Sequence, residues 1–118
     1  MNVFFSNNKL QSICNDKKAG IRKLGEKCAG KLRQRLAEFT AAEVLSEISN
    51  LPPSRCHELT NRTGVFSVDL EYPLRLLFIP VEDPVPLKND GGIDRERIMG
   101  VEIVAIEDTH DKKNQRRG

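Results

Sequence analysis

The chain contains two histidines, His57 and His110. His57 lies in Arg55-Cys56-His57-Glu58-Leu59 and His110 closes Glu107-Asp108-Thr109-His110. Each falls beside a segment with strand character, so the fold could make the two segments neighbours. An imidazole titrates near neutrality, and two of them can divide the proton transfers of phosphodiester cleavage. One would remove the proton from an RNA 2′-OH while the other protonates the leaving 5′-oxygen. A cation such as Arg75 or Arg62 would stabilise the charge that builds on the phosphoryl oxygens. This route calls for no metal and no cofactor. On spacing alone, two surface histidines with no chemical role fit the same pattern. Arg75 is more informative, because it interrupts the apolar run Leu74-Arg75-Leu76-Leu77-Phe78. A charge there must face solvent, find a partner such as Asp69, or bind an anion.

Other chemistries have less to draw on. A glycine-rich phosphate loop, H-E-x-x-H and G-x-S-x-G are all absent from the sequence. The three cysteines, Cys14, Cys28 and Cys56, form no C-x-x-C pair. Neither a disulfide framework nor a structural zinc site is expected from them. Cys28 sits on an apolar helical stripe and reads as a core residue.

The elements that must position these residues begin with a short strand over Asn2 to Phe5, followed by a helix capped by Asn7 or Asn8 and running through Cys14. Ile21, Leu24, Cys28, Leu32, Leu36 and Phe39 then recur at three- and four-residue steps, as on an amphipathic helix with one buried face. Arg22, Lys23, Lys27 and Arg33 fall on the opposite side. Gly20, Gly25 and Gly30 each cost about 1 kcal/mol relative to alanine, so a break near Gly25 is expected. Thr40-Ala41-Ala42-Glu43 fits a capping box that would start a further short helix through Ile48, ended by Pro52-Pro53.

Beyond that point the pattern is sheet-like. Strands are predicted over Arg55 to Leu59, Val65 to Leu70, Leu74 to Ile79 and Ile98 to Glu107. In the second of these, Phe66, Val68 and Leu70 share one face and Ser67 and Asp69 the other. Val81 to Arg97, with Pro84, Pro86 and Asn89-Asp90-Gly91-Gly92, makes a long connection of the kind that is usually functional or mobile. The order predicts an α+β fold, with two or three N-terminal helices packed on one face of a small twisted antiparallel sheet.

At 118 residues the chain has the length of one domain. It reads as a single domain over 1–110 with a basic, flexible tail over 111–118. No apolar run approaches the roughly 18 residues that span a bilayer, and the N-terminus lacks the layout of a signal peptide. A cytoplasmic location with no membrane partner follows as the expectation. The formal net charge of +2 hides a segregation: nine basic and three acidic residues from Lys9 to Glu38, then six basic and fourteen acidic from Glu43 to Asp111. Lys112, Lys113, Arg116 and Arg117 add four more positive charges. Such asymmetry suggests a polyanionic or oppositely charged partner.

The run from Leu51 through Thr60, continued by Asn61-Arg62-Thr63-Gly64-Val65-Phe66-Ser67-Val68-Asp69-Leu70 and Tyr72-Pro73-Leu74-Arg75-Leu76-Leu77-Phe78, resembles the central signature of the RelE/ParE toxin superfamily in its HigB-like branch. The proline-rich insert with Asp90-Gly91-Gly92, and then Val101 to His110, is similar to a subgroup of that branch. The resemblance implies the toxin of a type II toxin–antitoxin system, a metal-independent endoribonuclease that cuts mRNA on the translating ribosome. It also implies a cognate helix-turn-helix antitoxin as partner, and no small-molecule cofactor. Carried over by position, it gives catalytic roles to His57, Arg75, Asp108 and His110. Arg62 would contact phosphate, with Thr109 beside the reacting nucleotide. The charge segregation adds the expectation that the basic helical face, with Lys23, Lys27 and Arg33, and the tail dock on ribosomal RNA or on an acidic antitoxin segment. The family often carries tyrosine where this chain has Thr109. Threonine keeps a hydroxyl but lacks the ring that could stack on a base, a contact worth about 1–3 kcal/mol where it occurs. Two alternatives stay open: a ParE-like gyrase inhibitor that acts by binding, and an attenuated, non-catalytic homologue that still binds antitoxin.

Overall fold

The computed structural model describes residues 1–109. His110 and the basic tail over 111–118 lie outside the described residues. Strand β1 (Asn2–Phe5) leads into three helices, α1 (Asn8–Asn15), α2 (Lys17–Leu24) and α3 (Glu26–Ala41). Asn7 caps α1 through its side chain, which accepts from the Leu10 N–H. Asp16 does double duty: its N–H closes α1 on the Ser12 carbonyl, and its carboxylate caps α2 at the N–H groups of Lys18 and Ala19. The expected break falls at Gly25, whose φ of 83° lets it end α2 and start α3 without steric cost.

The capping box does not form. Helix α3 runs on through Thr40, whose hydroxyl donates to the Leu36 carbonyl one turn back, a bond open to any mid-helix threonine and one that removes it from capping duty. Only a single 3₁₀ turn, Leu45–Glu47, follows. Its Glu47 carboxylate accepts from the Glu43 N–H.

Strands β2 (His57–Glu58), β3 (Phe66–Asp69), β4 (Arg75–Pro80) and β5 (Gly100–Glu107) complete a five-stranded sheet in the order β1-β5-β4-β3-β2. Strand β2 is shorter than the predicted Arg55 to Leu59, and β3 stops before Leu70. A second correction concerns direction. Strands β2 to β5 pair antiparallel, but β1 pairs parallel with β5, so the sheet is mixed. The residues of β1 specify a strand and not its direction. The parallel pairing still puts Val3 and Phe5 beside Val101 and Ile103, on the face covered by the helices.

That face holds the core. Cys28, Leu32 and Phe39 of α3 pack over Phe66, Val68, Leu76, Phe78, Val101 and Ile103. The Phe39 and Phe78 rings meet edge-on with centroids 4.9 Å apart, and Phe66 stacks on Phe78 at 5.8 Å. The long connection after β4 is tied down rather than loose. Leu87 bridges Ile93, Arg97 pairs with Asp94 and donates to the Leu87 carbonyl, and the Arg95 guanidinium lies 4.9 Å above the Phe66 ring.

Candidate functional site

The register fixes which side chains share the face away from the helices. His57 pairs with Ser67, Ser67 with Leu77 and Leu77 with Ala105. Two residues along, Asp69 pairs with Arg75 and Arg75 with Glu107. Alternation with period two therefore places His57, Ser67, Asp69, Arg75 and Glu107 on one side. A bulge at Val104 is needed for this. Ile103 pairs with Phe78 on the core side, yet Ala105 pairs with Leu77 on the other. Were Val104 paired in regular alternation, Ile103 and Glu107 would share a face and the carboxylate would be driven into the core.

The charges on this face are tied to one another. Arg75, whose side chain is 14% exposed, has Nε 3.5 Å from Asp69 Oδ1 and donates from Nη1 to the Thr109 hydroxyl at 3.3 Å. Arg55 Nε lies 3.1 Å from Asp69 Oδ2. Arg62 Nη2 donates to Glu107 Oε1 at 2.6 Å, a short charge-assisted bond. Three guanidinium groups thus meet two carboxylates beside His57.

His57 is half-buried, and its Nδ1 lies 2.9 Å from the Arg55 carbonyl. A carbonyl oxygen only accepts, so Nδ1 carries the proton. In the neutral ring Nε2 is then left with its lone pair, and it has no hydrogen-bond partner among the described residues. The Arg55 carbonyl is aimed there by a left-handed backbone, with φ of 49° at Arg55. A non-glycine residue rarely adopts that conformation. On the next residue, burial pushes the Cys56 thiol up to about 11, with the Arg95 charge opposing, so it is not a nucleophile at neutral pH.

A buried network beneath the cluster fixes its position. Arg35, 2% exposed, donates from Nε to the Asp69 carbonyl and from Nη1 to Glu38 Oε2, both at 2.9 Å. Glu38 Oε1 accepts from the Ser54 hydroxyl at 2.8 Å, and the Ser54 carbonyl accepts from the Asp69 N–H at 2.8 Å. Helix α3 thereby clamps the end of β3 to the segment that carries Arg55 and His57. Two polar atoms of this region, Ser67 Oγ and Asp69 Oδ1, are buried with no hydrogen-bond partner among the described residues.

Of the residues that the sequence singled out, the structure brings His57, Arg62, Arg75 and Thr109 to this one face. Asp108 directly follows β5. His110 lies outside the described residues. Lys23 and Arg33 are exposed on the helices that cover the other face, and Lys27 lies 3.7 Å from Glu71 there, so these three are not brought to the cluster. Arg55, Ser67 and Glu107 were not assigned from the sequence, although Arg55 precedes His57 by two residues, the same-face spacing of a strand. Arg35 also went unnoticed. It falls three residues after Leu32 and four before Phe39, which is the buried stripe itself.

Among the described residues, no group of three His, Cys, Asp or Glu side chains is placed to hold a metal ion. Nor is any helix among them long and apolar enough to cross a membrane. No family model matches the chain, and no curated protein matches it.

Proposed function

We propose that the protein is an endoribonuclease of the RelE/ParE type, HigB-like, that cuts mRNA on the translating ribosome and is held in check by a helix-turn-helix antitoxin. The observation that carries this reading is the imidazole of His57, with Nδ1 occupied and Nε2 available, on the same sheet face as Arg55, Arg62 and Arg75. Nε2 takes the proton of the RNA 2′-OH as that oxygen attacks phosphorus. The P–O5′ bond breaks, and an acid, the role the sequence gives to His110, returns a proton to the 5′-oxygen. Arg75 meets the charge developing on the phosphoryl oxygens. From strand spacing, its Cα lies roughly 12 Å from that of His57, a gap a guanidinium and an imidazole can span around one phosphodiester. Asp108 and Thr109 lie at the same end of the sheet, where Thr109 already engages Arg75. RNA would draw Arg55, Arg62 and Arg75 away from their carboxylates, phosphate replacing Asp69 and Glu107 as acceptor.

The test is primer extension on mRNA in programmed ribosomes. Wild-type protein should give new 5′ ends, and His57→Ala should lose them by about 10²-fold or more. Arg75→Ala should do the same with the fold retained. An active growth-arresting wild type that leaves the message uncut would overturn the proposal. Inhibition of gyrase supercoiling in the same preparation would put the binding-only alternative in its place.

A further inference from the structure

We infer that Asp69 is a positioning residue that sets the tautomer of His57 through the backbone of Arg55. Asp69 is itself immobilised from the helix side. Its N–H donates to the Ser54 carbonyl, and its carbonyl accepts from the buried Arg35. The carboxylate that projects from this fixed point holds Arg55 by Nε at 3.1 Å. Oδ1 is buried, accepts no hydrogen bond among the described residues, and faces Arg75 Nε at 3.5 Å. It makes an electrostatic contact rather than a second hydrogen bond.

Arg55 is the one non-glycine residue with positive φ among the described residues. A side chain strains the left-handed conformation, so the structure around it must supply the restraint. Two backbone bonds flank it, Arg55 N–H to the Leu51 carbonyl and Cys56 N–H to the Ser49 carbonyl. The third restraint is the guanidinium–carboxylate contact with Asp69. In this conformation the Arg55 carbonyl meets His57 Nδ1. Remove the carboxylate, and Arg55 relaxes toward ordinary φ. The carbonyl turns away, and the imidazole reverts to the Nε2–H form that an unconstrained ring prefers. The lone pair is then on the wrong nitrogen, a defect that costs far more in proton transfer than in stability.

The role in cleavage rests on the nuclease reading above; the tautomer does not. The experiment is long-range ¹H–¹⁵N NMR of the imidazole in the full chain, followed to alkaline pH until the ring signals stop moving. Wild type should show His57 as Nδ1–H. Asp69→Asn, which keeps both backbone bonds, should move the population toward Nε2–H. In the ribosome assay it should lower kcat by about 10²-fold. Arg55→Gly loses the same carboxylate contact but adopts positive φ freely, so it should keep Nδ1–H. Placed on Asp69→Asn, it should restore that tautomer. If Asp69→Asn fails to fold, Arg55→Ala against Arg55→Gly asks the same question: only alanine should lose the Nδ1–H form. A wild-type ring found as Nε2–H, or an Asp69→Asn protein that folds with the wild-type tautomer, overturns the inference. A wild type with the Nδ1–H ring that cuts no message overturns the nuclease reading alone.

Discussion

The two faces of the sheet use the same strands for opposite purposes. Toward the helices, Phe66, Val68, Leu76, Phe78 and Ile103 are all fully buried, and α3 closes over them with Leu32 and Phe39. On the other side the alternate residues are Ser67, Asp69, Arg75, Leu77 and Glu107: the charged ones are tied by ion pairs, Leu77 is buried, and the Ser67 hydroxyl has no partner among the described residues. The first face holds the fold by burying area, a term that is large and insensitive to orientation. The second adds the buried Leu77, but its charged part depends on direction, because a guanidinium out of place is a different site. Substitutions on the two faces should therefore separate cleanly, one class moving stability and the other moving chemistry.

The strongest attempt to break this division is Phe78→Ala. Phe78 touches both Phe39 and Phe66 and is completely buried. Truncation should cost about 3–5 kcal/mol, a large part of the roughly 5–15 kcal/mol available to a domain of this size. The measurement is urea unfolding, read as a drop in midpoint at unchanged slope. A loss below about 1 kcal/mol would mean that the aromatic cluster is not what holds α3 to the sheet.

The sequence made the apolar face more legible than the charged one, and the reasons are physical. The stripe from Ile21 to Phe39, the Asn7 cap and the break at Gly25 are local signals, carried by residues within a turn or two of one another. The parallel pairing of β1 with β5 joins residues almost a hundred positions apart, and nothing in Asn2 to Phe5 encodes its direction. Thr40 misled because the same side chain that caps a new helix can bond back into an existing one. Asp69 was foreseen as a partner for Arg75, since a charge within an apolar strand demands one. Glu107 was not, because its orientation is set by the bulge at Val104, a defect in alternation that only the pairing with β4 reveals. The left-handed turn at Arg55 was equally hidden, as the residue there is not glycine.

Ser67→Ala sharpens the comparison from the other side, with a smaller effect of opposite sign. Ser67 lies in register with His57 on one strand and Leu77 on the other, fully buried, and its hydroxyl finds no partner among the described residues. A buried unsatisfied hydroxyl costs about 1–3 kcal/mol. Alanine removes that cost and leaves the volume nearly unchanged, so the variant should be more stable by about 1 kcal/mol, seen as a rise of a few degrees in Tm. A destabilised Ser67→Ala would show that the hydroxyl is satisfied in solution and that the charged face adds to stability after all.

The smallest effect concerns the ion pairs of the helix layer, which belong to neither face. Glu71, just after β3, faces Lys31 Nζ at 3.0 Å and Lys27 Nζ at 3.7 Å from α3. The hydrogen bond from Lys31, with the charge of Lys27 beside it, holds the Glu71 carboxyl below its ordinary value of 4.5. A carboxyl depressed in the folded state contributes stability that is present above its unfolded pKa and is lost as pH falls through the folded one. Between neutrality and about pH 5 the contact should therefore add a constant increment, fading only in more acid solution. Lys31→Gln should lower the stability near pH 7 by a small amount, since exposed pairs are weakened by solvent and salt, and the two proteins should converge as the pH falls. Urea midpoints of the two proteins from pH 7 down to pH 3 would show it. A gap that is wide at pH 7 and insensitive to acid would instead make Lys31 a packing residue, its stem covering apolar surface on α3, and would move it into the same class as Phe78.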